Sequence, residues 1–194
     1  MENLKRLLNL ECDRTLSSKE WDELFALAEV RKLTRGEALI DAGEKNGDIF
    51  IVKNGVMRGV DYNCDQERTF CFGLPGTIFN SRHSFYKNLP SHYRIEACCA
   101  SEVLQIKKAD YIALTDRNHR FAVWALHYAW SEQYLEEDRE STVHRGDARE
   151  RYLQMEKTRP QILHQVSQRV IASYLGVSPE HLSRIKASIL REGK

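Results

Sequence analysis

The residues of this chain best suited to chemistry lie near its C-terminus, where Glu180 and Arg184 stand four positions apart. On a helix, this spacing places the carboxylate and the guanidinium side by side on one surface. An arginine can donate two parallel hydrogen bonds to guanine, and a glutamate can accept one from the N4 amino group of cytosine. The pair therefore predicts a surface that reads DNA bases. The plainer alternative is an exposed ion pair on a helical hairpin.

The surrounding sequence supplies elements that could present this pair. Residues 168–189 predict two short helices joined by a tight turn at Gly176, because glycine adopts a left-handed backbone at little cost. Ser178 can cap the second helix, and Pro179 suits its first position. Apolar side chains recur at helical spacing along both helices: Ile171, Leu175, Val177, Leu182 and Ile185. This is the layout of a helix-turn-helix, whose second helix enters the major groove of DNA.

Burial of these apolar residues leaves the other side chains of the second helix on its outer face. The residues expected to contact DNA are Ser178, Glu180, His181, Ser183, Arg184 and Lys186. Charge supports this expectation, because residues 143–194 hold 10 basic and 5 acidic side chains, whereas the first 142 residues hold 19 basic and 23 acidic ones. A basic tail on an acidic body suits a module that meets phosphate.

Composition places the chain among soluble globular proteins, with 42% apolar and 29% charged residues. No apolar run approaches the ~20 residues of a membrane helix, and the N-terminus has no secretion signal. The cysteines are Cys12, Cys64, Cys71, Cys98 and Cys99. Because they form no C-x-x-C pair, we expect a reduced, cytoplasmic protein. The absence of G-x-S-x-G, H-E-x-x-H and P-loop motifs leads us to expect neither an enzyme nor a bound metal.

After a helical N-terminal segment, short β-branched and aromatic runs begin near residue 31 and alternate with glycine and asparagine turn signals. The predicted strands are Ala38–Ile40, Ile49–Val52, Val56–Tyr62, Arg68–Phe72, Arg94–Cys99 and Val103–Ile106. Their length and spacing indicate a β-sandwich or a β-barrel.

A long helix is predicted from Arg120 to about Arg139, where no glycine or proline occurs. One apolar stripe, assigned to the dimer seam, consists of Phe121, Trp124, Tyr128 and Leu135; an adjoining stripe consists of Val123, Leu126, Trp130 and Tyr134. We expect one stripe to pack on the barrel and the other on a second copy of the chain. The alternative is a helix that lies wholly in an intrachain groove. The polar segment 140–147 is the expected hinge.

The order of helix, strands with glycine turns, long helix and helix-turn-helix resembles the Crp/Fnr family of bacterial transcription regulators. The resemblance covers essentially the whole chain. It rests on LTRGEALIDAGEKNGDIFIVKNGVMRGV at 33–60, on ACCASEVLQIKKADYIAL at 97–114, and most specifically on the C-terminal segment 147–189. It implies that Glu180 and Arg184 read bases and that Ser178 contacts phosphate. At Pro179, relatives often carry a side chain that reaches a base, which proline cannot do.

This resemblance implies an α+β fold in three parts. They are a β-barrel or jelly roll of the cyclic-nucleotide-binding type over 1–117, a dimerisation helix over 118–142, and an all-α, winged-helix-like helix-turn-helix domain over 143–194. The sequence ends at Lys194 without the wing that relatives often carry, so we expect lower DNA affinity that salt easily abolishes. The expected partners are double-stranded DNA, a second copy of the chain, RNA polymerase and an unidentified small-molecule effector, with no membrane.

The expected ligand site departs from the family pattern. Cyclic-nucleotide binders carry Gly-Glu-Leu for the ribose and Arg-Ser-Ala for the cyclic phosphate, whereas the matching segments here, at 80–82 and 91–93, read Asn-Ser-Arg and Ser-His-Tyr. This argues against cyclic AMP and cyclic GMP, and no cofactor is identified. The candidate effector residues are Asn80, Ser81, Arg82, His83, Ser91, His92, Arg94 and Glu136. They either hold an acidic metabolite or are solvated loop residues on a closed barrel.

Two functional hypotheses follow. The leading one is a dimeric, DNA-binding transcription regulator with a sensor barrel. The alternative is a ligand-sensing β-barrel module whose C-terminal helices bind a protein partner. Arg184 distinguishes them, because a tail that binds protein has no specific need for an arginine at this position.

Overall fold

The structure, a computed structural model, describes residues 1–10, 12–63, 66–145 and 147–192. The helices are α1 (Glu2–Leu10), α2 (Ser18–Ala26), α3 (Arg82–Lys87), α4 (Lys108–Arg117), α5 (His119–Arg145), α6 (Ala148–Thr158), α7 (Pro160–Gln165), α8 (Gln168–Leu175) and α9 (Pro179–Glu192). The strands are β1 (Ala28–Leu33), β2 (Ala38–Ile40), β3 (Ile49–Asn54), β4 (Met57–Asn63), β5 (Gln66–Gly73), β6 (Ile78–Phe79), β7 (Arg94–Ala97) and β8 (Ser101–Ile106). The predicted α+β composition is confirmed.

The strands form two antiparallel sheets. The first sheet has the order β1-β8-β3-β6 and the second has the order β2-β7-β4-β5. The core between them draws on both sheets: Leu33, Leu39, Ile40, Phe50, Val52, Met57, Phe79, Ile95, Ala97 and Val103. Two stacked sheets match the sandwich alternative of the prediction. Within the described residues, no strand pairing joins the sheets, so they do not close into a barrel.

The last strands differ slightly from the prediction. β7 ends at Ala97, whereas the sequence predicted a strand as far as Cys99. Cys98 and Cys99 lie instead in the bend that leads to β8, where the amide of Cys98 donates to the carbonyl of Val56 at 2.8 Å. The chain has to turn here because β8 begins at Ser101, in register with the end of β1.

The outward face of the first sheet is covered by the N-terminal helices and the beginning of α5. Their shared core contains Trp21 of α2 and Trp124 of α5, which pack on Ile51 and Leu104 of the sheet. α5 continues to Arg145, past the predicted end near Arg139 and into the segment expected to be a hinge. Residues 140–145 contain no glycine or proline that would stop the helix.

The C-terminal helices α6 to α9 pack on the second sheet. Their core includes Val56, Phe72 and Cys98 of the two-sheet domain together with buried residues of all four helices. The helices at the C-terminus and the second sheet therefore share one apolar core. This arrangement fixes where α9 lies relative to the sheets.

Candidate functional site

The turn between α8 and α9 depends on Gly176. Its backbone has φ 68° and ψ 34°, a left-handed conformation that residues other than glycine rarely adopt. The amide of Gly176 donates to the carbonyl of Ser173 at 3.3 Å, and the amide of Val177 donates to that of Ala172 at 3.0 Å. These bonds satisfy the last carbonyls of α8 and lead the chain directly into α9. The two predicted helices and their turn are thus confirmed.

Ser178 caps α9, as its position in the sequence predicts. Its hydroxyl accepts a hydrogen bond from the amide of His181 at 3.2 Å, and its carbonyl accepts one from the amide of Leu182 at 3.0 Å. Pro179 occupies the first position of the helix, where its missing N–H is harmless.

One face of α9 carries the side chains predicted to contact DNA. Leu182 and Ile185 are buried on the inner face, in the core shared with α8. The outer face exposes Ser178, Glu180, His181, Ser183 and Arg184, with Lys186 half-buried beside them. The amide of Glu180, the Ser178 hydroxyl and the charge of Arg184 hold the pKa of the Glu180 carboxyl below its usual value. The face therefore offers a carboxylate acceptor and a guanidinium donor side by side.

Two arginines of α6 hold the ends of this helix pair. Arg151 Nη2 donates to the carbonyl of Leu175 at 2.9 Å, at the end of α8. Arg149 forms an ion pair with Glu192, at the end of α9. α6 is itself anchored by Tyr152, which is buried in the shared core. α6 therefore contacts both helices of the pair.

α8 also rests directly on the second sheet, a contact that the sequence analysis did not identify. The hydroxyl of Ser173 accepts a hydrogen bond from the amide of Thr69 at 2.9 Å and donates one to the carbonyl of Glu67 at 3.0 Å. These groups belong to β5, the edge strand of its sheet among the described residues. The rings of Phe72 and Tyr174 meet alongside, with centroids 4.9 Å apart. The position of α9 is therefore coupled to β5.

A buried charge network centred on Arg58 lies next to this contact. Arg58 Nε donates to Glu96 at 2.8 Å, its Nη1 donates to Thr69 at 3.0 Å, and the guanidinium also pairs with Glu67. Burial opposes the charge, but the two carboxylates outweigh this and raise the pKa of Arg58. The sequence signal for this network is an arginine flanked by Val56, Met57 and Val60 in a predicted strand, and the sequence analysis missed it.

The two loops that match the cyclic-nucleotide cassette carry hydroxyls where the family has charges. Ser81 is buried and caps α3 by accepting a hydrogen bond from the amide of Ser84 at 3.3 Å. Ser91 donates to the carbonyl of Tyr93 at 2.8 Å, and the Tyr93 hydroxyl donates to the carbonyl of Asn80 at 2.8 Å. These hydroxyls form hydrogen bonds within the loops. Neither Ser81 nor Ser91 carries a charge that could bind a ribose or a cyclic phosphate.

Arg82 and Glu136 do come together, as predicted, but they bind each other. Nη1 of Arg82 lies 2.9 Å from Oε2 of Glu136, and Nη2 lies 2.7 Å from Oε1. This two-pronged bond raises the pKa of Arg82 and occupies the fork of its guanidinium. His83 and His92 also meet, with ring centroids 3.9 Å apart. Of these candidate residues, the charged pair links α3 to α5.

Arg94, another candidate effector residue, bonds to groups outside the two cassette loops. It precedes Glu96 by two residues on β7, so both side chains point to the same face of the sheet. Its Nε donates to Glu96 at 2.7 Å, its Nη2 donates to the carbonyl of Gly36 at 2.9 Å, and the guanidinium pairs with Asp41. Strand alternation therefore places Arg94 beside Glu96, which links it to the Arg58 network.

The helix α5 buries the stripe that was predicted to form the dimer seam. Phe121, Trp124 and Tyr128 are 0%, 1% and 8% exposed. Trp124 packs edge-on against Trp21 of the same chain, with ring centroids 4.8 Å apart. The assignment of these three side chains to the seam is wrong because they pack on their own α2 and first sheet. Leu135, the fourth member, is 40% exposed.

The adjoining stripe of α5 points outward. Leu126, Trp130 and Tyr134 are 58%, 67% and 66% exposed, and their four-residue spacing aligns them along one side of the helix. We call these three residues the outer stripe. Three large apolar side chains in a row on a helix surface are typical of an interaction site.

Burial gives the adjacent Cys98 and Cys99 different reactivity. Burial raises the pKa of the Cys98 thiol to about 12, whereas Cys99 is half-buried. Because the thiolate is the nucleophile, we expect iodoacetamide at mildly alkaline pH to alkylate Cys99 at least ~100-fold faster than Cys98 in the folded protein. Peptide mass spectrometry measures both rates, and the urea-unfolded chain, in which the two rates should converge, is the control. Equal rates in the folded protein would contradict this account.

Two further observations concern the described part of the chain. There, no group of three His, Cys, Asp or Glu side chains is arranged to hold a metal ion. None of its helices combines the length and the apolar character needed to cross a membrane.

The two-sheet domain matches a known family. Residues 30–118 match the model of the cyclic nucleotide-binding domain. This segment therefore has the fold of that domain, although its cassette loops lack the charges expected for a cyclic nucleotide. No curated protein sequence matches the chain.

Solved structures extend the likeness to most of the chain. FixK2 from Bradyrhizobium japonicum has a TM-score of 0.71 and 22% identity, with 86% of each chain covered. The c-di-GMP responsive global regulator CLP from Xanthomonas campestris has a TM-score of 0.73 and 16% identity, covering 91% of this chain and 93% of that one. The catabolite activator protein of Thermus thermophilus has a TM-score of 0.54 and 24% identity, covering 92% and 85%. At these sequence identities, the similarity shows a shared fold alone.

Proposed function

We propose that this chain is a DNA-binding transcription regulator of the Crp/Fnr type. The observation that carries the proposal is the outer face of α9, where Glu180 and Arg184 stand exposed together. A helix held by a tight turn on its partner helix, with polar side chains outward, fits the major groove. The likeness in fold to a global regulator and to a catabolite activator protein supports the same function.

The regulator is proposed to act as a homodimer through the outer stripe of α5. Leu126, Trp130 and Tyr134 are largely exposed in the part of the chain that the structure describes, and a second copy would present the same stripe in return. A two-fold dimer would present two α9 helices to two half-sites of one inverted repeat. The residues Phe121, Trp124 and Tyr128 then serve the fold of each protomer.

The two-sheet domain is proposed to sense something other than cyclic AMP or cyclic GMP. Ser81 and Ser91 stand in the places of the family's glutamate and arginine, and Arg82 is neutralised by Glu136. A cyclic phosphate would find no free guanidinium in these loops. The domain keeps the family fold while its recognition chemistry differs.

The test is selection of random DNA duplexes by the wild type and by Arg184→Ala. We expect the wild type to enrich an inverted repeat. The variant should bind that site about 10- to 100-fold more weakly per half-site, because each bidentate arginine contact contributes ~1–3 kcal/mol of discrimination. Affinity should also fall steeply with salt, because contacts to phosphate release counterions.

Arg117→Ala is the matched control, since Arg117 is an exposed arginine on α4 and its removal changes the net charge equally. It should select the same repeat as the wild type. If the wild type enriches no sequence, or if Arg184→Ala retains full affinity and specificity, the proposal fails. The C-terminal helices would then be assigned to a protein partner.

A further inference from the structure

A cleft of about 320 Å³ lies where the second sheet meets the beginning of α8. Arg58 of β4 and Glu96 of β7 border it together with Arg35, which lies in the turn between β1 and β2. Ser167, at the N-terminal cap of α8, and Val170 border it on the other side. Its volume lies at the small end of ligand sites, which often occur where two domains meet. The cleft is separate from the cassette loops, because none of the candidate effector residues there lines it.

The acidic side chain that lines the cleft is already neutralised. One oxygen of Glu96 accepts from Arg58 at 2.8 Å, and the other accepts from Arg94 at 2.7 Å. Cys98 also lines the cleft but adds no charge, because burial raises the pKa of its thiol to about 12. Neither residue would repel an anion that enters.

The groups left without a partner in the cleft are hydrogen-bond donors. Arg35 is exposed at its edge and makes no hydrogen bond or ion pair with any residue that the structure describes. The hydroxyl of Ser167 makes no capping bond to α8. A guanidinium that is free to form a two-pronged bond selects carboxylates and phosphates.

We propose that this cleft binds a small acidic metabolite, one that carries a carboxylate or a phosphate group, through Arg35 and Ser167. Such a molecule would touch the sheets and α8 at once. Because α8 and α9 share one turn and one core, occupancy of the cleft would stabilise one position of α9 relative to the sheets. The binding site stands by itself, whereas this regulatory consequence rests on the proposed function.

Thermal unfolding of the full chain in the presence of inorganic phosphate, citrate, or sodium chloride at matched ionic strength tests the site. We expect phosphate or citrate to raise the Tm by about 3–5 °C at ten times its Kd. The anion that raises the Tm more shows whether the cleft prefers a phosphate or a carboxylate. Arg35→Gln should abolish most of the shift, and Arg117→Gln, which alters an exposed arginine outside the cleft, should keep it.

Val170→Phe provides a second, independent variant, because a larger side chain at this position fills the cleft without removing a charge. It should also abolish the shift. Equal Tm values of the wild type in phosphate, citrate and chloride, or a full shift in Arg35→Gln, would overturn the inference. Selection of DNA in chloride alone reports the proposed function separately, so either proposal can fail while the other stands.

Discussion

A chain that carries Trp130→Glu is expected to be a monomer at concentrations where we expect the wild type to be a dimer. It should bind its DNA site about 10²–10⁴-fold more weakly, because two tethered half-site contacts become one. Trp130 is 67% exposed at the centre of the outer stripe, between Leu126 and Tyr134. A carboxylate there would be buried without a partner in the dimer but would remain in water in the monomer. Analytical ultracentrifugation and DNA titration measure the two effects.

Tyr86→Glu is the matched control, since Tyr86 is a 73% exposed aromatic side chain on α3, outside the stripe. This variant should remain dimeric. Both variants should unfold within ~0.5 kcal/mol of the wild-type protomer, because both changes lie on the protomer surface. If the Trp130→Glu protein were still a dimer, the outer stripe would not be the dimer interface.

The local features of the C-terminal helices could be predicted from sequence because they depend on neighbouring residues. Gly176, Ser178 and Pro179 act within one turn of the chain, through a left-handed backbone and a helix cap. The inner positions of α9 follow from the period of the helix alone. The face that carries Glu180 and Arg184 was therefore predicted without knowledge of the rest of the fold.

The burial of the two stripes of α5 could not be predicted from sequence. Both contain large apolar and aromatic side chains at helical spacing, so periodicity does not indicate which stripe packs on the rest of the chain. Trp124 is buried because Trp21 and the first sheet lie against it, and that contact joins residues about a hundred positions apart. The choice between the stripes is made by tertiary packing.

Arg94 shows which contacts strand alternation can predict. Its positive charge near the cassette loops suggests an effector residue, although strand alternation already predicts that Arg94 and Glu96 share a face. The pairing of Glu96 with Arg58 could not be predicted in the same way. It requires the register of β4 against β7, which brings these two residues opposite each other.

Arg58→Ala is expected to lower the free energy of unfolding by about 3–5 kcal/mol, because Glu67 loses its cation and the buried Glu96 loses one of the two arginines that bind it. Glu96 and Glu67 have side chains that are 10% and 30% exposed, and both bind the Arg58 guanidinium. The backbone carbonyl of Glu67 accepts the hydrogen bond from Ser173, so a shift of this residue should also weaken the contact between β5 and α8. Urea unfolding measures the change in free energy.

Two comparisons separate the loss of a charge pair from other consequences of the substitution. Arg68→Ala removes the neighbouring exposed ion pair with Asp61 and should change the free energy of unfolding by no more than about 1 kcal/mol. The double variant Arg58→Met, Glu96→Met removes the two most buried charges and leaves the more exposed Glu67, with Arg94 still paired to Asp41. It should recover part of the stability lost in Arg58→Ala, since well-packed apolar groups can replace a buried ion pair. If the double variant were instead less stable than Arg58→Ala, packing of the long side chains would outweigh their charge. In that case the Arg58 side chain would stabilise the protein more through the packing of its long stem than through its charge.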